Sequence, residues 1–216
     1  MLLEEKKDWA RARIVPAEID KYLGTGGADF IPDAEIHRLL AETGAPETAQ
    51  VREIVAKALA IQTLTLAELA TLLRVRDPEL WAEMRAAAGA VKRKVYDNRI
   101  VTFAPLYLGS KCVNDCAYCG LRRSNPAVER RVLDMAGVRA ETEALAGQLG
   151  HKRLIVVYGE HPDTDVDYIA ESIRAVYSVK VPTRRGVGQI RRVNVNAAPM
   201  RVAELKTLKQ CGLGTC

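Results

Sequence analysis

Two patterns of apolar and polar positions divide the chain. Up to about residue 98 the apolar positions recur at helical spacing and no strand pattern occurs. A short helix is expected over residues 16–23, with Gly24–Gly27 as a flexible break, and a second between Pro32 in its first turn and Gly44 at its stop. Val51, Ile54, Val55, Ala58 and Leu59 share one face of a helix over 46–61. Thr65-Leu-Ala-Glu68 has the form of a capping box opening a helix over 66–73, and Asp77-Pro78 starts another that runs to about Tyr96. His37 sits on a helix in a structural or solvated role, and Trp9 and Trp81 read as packing residues.

From Arg99 strands and helices alternate. Strands are expected at Ile100–Leu108, bent or ended early by Pro105, at Arg153–Tyr158, a continuous apolar run of the fully buried kind, and at Ile190–Asn196. Helices are expected over 135–149, stopped by Gly150, over 166–177, and from Pro199-Met200 to about Gln210, with 181–188 reading as a Pro/Gly/Arg loop. Three β-α units in series predict an α/β fold with parallel right-handed crossovers, a barrel or a doubly wound sheet. The expected domains are thus a helical extension over 1–98 and a β-α region over 99–216. In a barrel, chemistry gathers at the loops after the strands' C-terminal ends. The loop after the first strand, Gly159-Glu160 after the second, and Asn194–Ala197 at the end of the third all lie there.

Composition narrows the class. With 48% apolar and 27% charged residues in 216, the chain can bury a core as one or two domains. No run approaches the roughly 20 apolar residues of a membrane helix, and the opening Met-Leu-Leu-Glu-Glu-Lys-Lys-Asp is no signal peptide, so a reducing, cytoplasmic setting is expected. The net charge of +5 is spread over scattered arginine pairs with 5% aromatics, which argues against a nucleic-acid surface. Five cysteines, an odd number in a chain of this size, argue against a disulfide framework.

Three of those cysteines, Cys112, Cys116 and Cys119, fall in the pattern Cys-x3-Cys-x2-Cys just after the first strand. A structural zinc site is closed by four protein ligands, and an all-cysteine [4Fe-4S] cluster takes four thiolates. Three thiolates on such a cluster leave one iron open to a small molecule. The other reading is three legs of a zinc site completed by a distant His or Cys, in a binding module without catalysis.

The cysteine spacing resembles the signature of the radical S-adenosylmethionine (radical SAM) superfamily. The segments Asn98–Leu108, Cys112–Gly120, Gly150–Leu154, Val157–Pro162 and Arg191–Pro199 narrow the resemblance to the HydG family of [FeFe]-hydrogenase maturases, close to the 2-iminoacetate synthases of thiamine biosynthesis. The likeness runs from roughly Asp77 to Cys216. It implies the first three β-α units of a partial radical SAM (β/α) TIM-like barrel behind the helical extension. It implies a [4Fe-4S] cluster on Cys112, Cys116 and Cys119, with S-adenosyl-L-methionine (SAM) at the open iron. Tyr118 matches the aromatic that lies against adenine, with packing under the loop as its alternative role. Gly159-Glu160 matches the end of the Gly-Gly-Glu that holds the SAM ammonium, although Tyr158 stands where the first glycine belongs. Glu160 as a plain surface residue is the alternative, and His161 beside it reads as a loop histidine. Asn194 and Asn196 would meet SAM or substrate, or each other.

The activity implied is a tyrosine lyase that cleaves the Cα–Cβ bond of L-tyrosine to p-cresol and dehydroglycine, the source of CO and cyanide for the hydrogenase H-cluster. The implied partners are a reductant such as ferredoxin or flavodoxin and other hydrogenase maturation proteins, with neither nucleic acid nor membrane. The family's second cluster lies in a C-terminal region that this chain does not include, and Cys211 and Cys216, spaced Cys-x4-Cys, are expected on a helix and a strand. Three parallel strands cannot close a barrel, so this portion alone is expected to be inactive.

Overall fold

The computed structural model describes residues 8, 9, 11–27 and 29–216. The chain divides into two compact units, one of residues 20–100 and one of residues 1–19 together with 101–216. The first expected helix is shorter than its pattern suggests: α1 (Pro16–Ile19) gives way to a 3-10 turn over Asp20–Tyr22. The expected glycine break is itself a 3-10 turn, Thr25–Gly27, with Gly26 and Gly27 at positive φ.

The helical unit contains α2 (Asp33–Glu42), α3 (Thr48–Leu59), α4 (Leu66–Leu73) and α5 (Pro78–Tyr96). Pro32 is the N-cap of α2 rather than part of its first turn, and Thr43 is its C-cap. The capping box of α4 is formed: Glu68 N–H donates to Thr65 Oγ1 at 3.2 Å and Thr65 N–H to Glu68 Oε2 at 2.6 Å. Lys57, and then the Thr65 backbone, hold the Glu68 carboxyl below its ordinary range. Asp77 caps α5 by accepting from Glu79 and Leu80, with Pro78 in the first turn, where its missing N–H costs nothing. Val51, Val75 and Leu80 form the centre of this unit, with Val55, Leu72 and Met84 packed against it, and the exposed Trp81 places its indole N–H on the Val75 carbonyl at 3.0 Å. His37 is exposed. Thr65→Ala is expected to lower the stability of this unit by about 1 kcal/mol, read as a lower urea midpoint with an unchanged slope.

The second unit is organised on a parallel sheet of β1 (Ala104–Gly109), β2 (Arg153–Tyr158) and β5 (Arg192–Asn196), in the order β1-β2-β5. Between them lie α6 (Met135–Glu143), α7 (Val166–Ser178) and a hairpin of β3 (Val181–Thr183) and β4 (Gly186–Gly188); α8 (Val202–Gln210) follows β5. The hairpin replaces the expected loop. Val181 and Thr183 are partly buried, Val181 and Gly188 pack against the turn after α6, and Gly186 at φ +103° lets two arginines make the connection. The helix expected over 135–149 also differs from its pattern, because α6 passes into a π-helical turn, Ala144–Gln148, before Gly150 at φ +72° ends it.

Register explains the burial. Leu106, Val156 and Val195 lie side by side, as do Ala104, Leu154 and Val193, and all six are buried against Val138, Ile169, Ile173, Val176 and Leu208 of the helices. The intervening positions, Tyr107 with Val157 and Asn196, and Pro105 with Ile155 and Asn194, face the other way and are half-buried or exposed. Pro105 is tolerated because β1 is an edge strand. β1 begins at Ala104, not Ile100: Ile100 and Phe103 are 84% and 52% exposed, and the register with β2 starts only at Ala104. After α8, Leu213 bridges in parallel to Val193, and Val195 N–H donates to the Thr215 carbonyl at 2.9 Å, so the chain starts a further pairing on the open side of β5. Cys211 caps α8, while Cys216 lies outside any strand and is exposed. No helix among the described residues is long and apolar enough to cross a membrane.

Candidate active site

Because the three strands are parallel, the cysteine loop, Gly159-Glu160 and Asn196 emerge at one end of the sheet. The loop leaves β1 at Gly109 and returns at Val132, which bridges back to Gly109. Its inside is cross-tied. Cys119 N–H donates to the Cys116 carbonyl at 3.0 Å, Arg123 N–H to Asn114 at 2.8 Å, and Ser124 N–H to Asp115 Oδ1 at 3.0 Å. The bonds from Ser124 hold the Asp115 carboxyl below its usual value. Cys112 and Cys119 are half-buried, Cys116 is exposed, and none is in a disulfide.

The end of β2 is clamped to this loop. Gly159 N–H donates to the Gly109 carbonyl at 2.9 Å, and Val113 N–H to the Glu160 carbonyl at 2.8 Å. Asn114 Nδ2 donates to Glu160 Oε2 at 2.5 Å, a charge-assisted bond that fixes one carboxylate oxygen beside the first cysteine. Lys111 pairs with Asp163 at 2.7 Å on the outer side. A Cβ on Gly159 would stand 2.2 Å from the Lys111 carbonyl oxygen and 3.0 Å from Cys112 Cβ, so only glycine allows this approach.

Tyr158, which stands where the first glycine of the Gly-Gly-Glu resemblance would be, is buried on the helix-covered face. Its hydroxyl shares a hydrogen bond with Ser172 Oγ at 2.7 Å, and its ring meets Tyr168 edge-on, with centroids 6.1 Å apart. Burial pushes the Tyr158 phenol up, and raises that of Tyr168 to about 12, so both stay neutral donors. The side chain therefore intrudes on neither Glu160 nor the loop. His161 is a loop histidine and a buried one, whose Nδ1 accepts from Asp163 N–H at 3.1 Å and caps a short 3-10 turn.

Tyr118 is 94% exposed, which removes packing under the loop as its role. Asn196 is exposed at the same end as the loop, whereas Asn194 accepts from Arg192 Nε at 3.1 Å and touches neither Glu160 nor a cysteine. A narrow pocket beside the clamp is lined by Gly159, Glu160, His161, Ala197, Ala198 and Met200. Its rim carries Arg13, stacked at 5.1 Å over Trp9 and paired with Glu204 at 3.2 Å. At the opposite end of the sheet Lys152, Arg153, Arg191 and Arg192 surround an open depression of about 460 Å³, away from the thiols. Sequence reasoning passed over Asn114, whose signal was an amide two residues after Cys112, and Arg130, described below.

The donor set can be tested against the groups it might hold. A single tetrahedral zinc, with Zn–S of about 2.3 Å, draws its sulfurs to within about 4 Å of each other. A [4Fe-4S] cuboid takes each thiolate on a separate iron and leaves them further apart. Among the described residues no three His, Cys, Asp or Glu side chains are grouped to hold one metal ion. Three free thiols on one tied loop are the donor chemistry that an iron-sulfur cluster takes.

Parallel strands, helices on one face and a three-thiol loop at the strand ends define the opening part of a radical SAM (β/α) barrel. Within that class the chain is HydG-like. It is similar in structure to HydG, a maturase of the [FeFe]-hydrogenase, with 43% identity and a TM-score of 0.79 over 87% of this chain and 40% of that one. The FeFe-hydrogenase maturase HydG from Carboxydothermus hydrogenoformans matches with 32% identity and a TM-score of 0.68 over 84% of this chain and 40% of that one. In sequence the chain is 29% identical over 160 residues to the 2-iminoacetate synthase of Escherichia coli (strain K12), covering 74% of this chain and 39% of that protein. No protein-family model matches. The chain thus spans about 40% of the length of these relatives.

Proposed function

We propose that this chain supplies the cluster and SAM site of a radical SAM tyrosine lyase. The lyase cleaves the Cα–Cβ bond of L-tyrosine to p-cresol and dehydroglycine and so provides CO and cyanide for the H-cluster. The observation that carries this reading is the clamp of Glu160 onto the three-cysteine loop within a fold 43% identical to HydG. When bound and reduced, the cluster supplies an electron for homolysis of the SAM sulfonium and hence a hydrogen-abstracting radical.

Each residue then has a task. Cys112, Cys116 and Cys119 are the residues that would hold the cluster. Gly159 lets the end of β2 lie against the loop, and Glu160, with Oε2 fixed by Asn114, would use its other oxygen to accept from the SAM ammonium. Tyr118 offers its exposed ring to the adenine, and Asn196 an amide to SAM or substrate from the end of β5. Asn194 shares its face, but its carbonyl oxygen is taken by Arg192. The reductant is an electron-transfer protein of the ferredoxin or flavodoxin kind, the remaining partners are other maturation proteins, and the setting is a reducing cytoplasm.

The test is anaerobic incubation of the cluster-loaded full-length gene product with SAM, a low-potential reductant and tyrosine. Formation of p-cresol and 5'-deoxyadenosine supports the proposal, and the absence of both rejects it. The 29% identity to 2-iminoacetate synthase favours a second reading, thiazole biosynthesis, which cyanide release would exclude. Zinc without iron or sulfide in the anaerobically purified protein would point to a binding module instead. Asn114→Ala is expected to weaken SAM binding about tenfold, the cost of losing one hydrogen bond to a charged group. Iron content should be unchanged, so the effect should appear in the KM for SAM.

A further inference from the structure

The geometry points to Arg130 as a positioning residue that builds the cysteine loop around its own guanidinium before any metal arrives. An irregular loop leaves carbonyl groups that helices and strands would have paired, and each needs a donor. Arg130 provides donors in one place. Its Nη1 donates to the carbonyls of Ser110 at 2.6 Å and Leu121 at 2.7 Å, and its Nη2 to those of Arg122 at 2.6 Å and Asn125 at 3.2 Å.

The placement of those carbonyls is what ties Arg130 to the thiols. Ser110 stands two residues before Cys112, and Leu121 and Arg122 stand two and three residues after Cys119. One planar cation therefore joins the two ends of the segment that carries all three cysteines. The main chain beside it is locked in the same sense. Ser110 N–H donates to the Arg131 carbonyl at 2.9 Å, Arg131 N–H donates to Ser110 Oγ at 2.9 Å, and Ser110 Oγ donates to the Glu129 carbonyl at 2.8 Å. Arg130 is half-buried and has no carboxylate within 4.0 Å among the described residues, so its charge is directed wholly at carbonyl dipoles. Lysine cannot take over this task, because a point ammonium with three donors lacks the rigid fork that reaches carbonyls on two sides.

The part of the inference that concerns iron rests on the reading of the three cysteines as cluster ligands; the part that concerns the loop does not. Hydrogen exchange on the metal-free protein decides the second. In Arg130→Lys the amides of residues 111–125 should exchange at least about tenfold faster than in the parent, while those of β2 and α7 keep their rates. Anaerobic reconstitution of the same variant should yield less than about half the parent's iron and sulfide per chain. In Arg130→Ala, millimolar methylguanidinium should restore the slow exchange of the loop, which a general loss of stability would not allow. Parent-like exchange in Arg130→Lys overturns the inference, as does acceleration of β2 and α7 equal to that of the loop, or failure of methylguanidinium to act. If the parent itself takes up no iron, the cluster reading fails, and the exchange result still decides the role of Arg130.

Discussion

Cys116→Ser protein, reconstituted anaerobically with iron and sulfide, should hold at least roughly tenfold less cluster than the parent and form no 5'-deoxyadenosine. The nucleophile and ligand is the thiolate, and a serine hydroxyl does not deprotonate near neutral pH to replace it. Cys116 is exposed, so the change removes no packing, and the melting transition should move by less than about 0.5 kcal/mol equivalent. Loss of cluster with retained stability is the signature of a ligand. Cys216→Ser provides the contrast: that thiol is also exposed but lies outside the loop, and its variant should keep full iron content. Equal cluster in the Cys116 and Cys216 variants would remove the site from this loop altogether.

Gly159→Ala should damage the site from the other side. The added methyl meets the Lys111 carbonyl oxygen at 2.2 Å, and that atom belongs to the main chain, so no rotamer change relieves the clash. Either the end of β2 or the start of the cysteine loop must retreat. The first breaks the bond from Gly159 N–H to Gly109, and the second shifts Cys112 and strains the bond from Val113 N–H to Glu160. Overpacking of this kind costs about 1–3 kcal/mol, visible in a thermal melt. Because Glu160 moves with the strand end, SAM affinity should fall by roughly 10- to 100-fold in calorimetry on the loaded protein, beyond what the lost stability explains. Unchanged SAM binding in a folded Gly159→Ala protein would mean that the clamp does not serve the site.

The same contact explains why Tyr158 can stand where the resemblance leads one to expect glycine. Side chains alternate across a strand, so Tyr158 turns toward α7 and finds Ser172 and Tyr168, while Gly159 faces the loop. Only the second position is sterically constrained by Lys111 and Cys112.

Where local pattern governs structure, the residues could be read directly. The Thr65–Glu68 box, the Asp77-Pro78 start of α5 and the alternation of Val193 and Val195 with Asn194 and Asn196 each depend on neighbours within four positions. Long-range partners could not be read in that way. Arg13 finds Glu204 at a separation of 191 residues, Asn114 finds Glu160 at 46, and Arg130 is one arginine of several until the loop folds onto it. The hairpin over Val181–Gly188 escaped because three-residue strands bounded by Pro and Gly carry too little period to distinguish from a turn. The expected strand starts four residues ahead of β1, because Ile100–Phe103 is apolar enough for a strand but meets no register partner on β2.

Across one row the uncovered side of the sheet runs from the ring of Tyr107 through Val157 to the amide of Asn196, and across the next from Pro105 through Ile155 to Asn194. That face is thus graded, an aromatic ring and a proline at the β1 flank and two amides at the β5 flank.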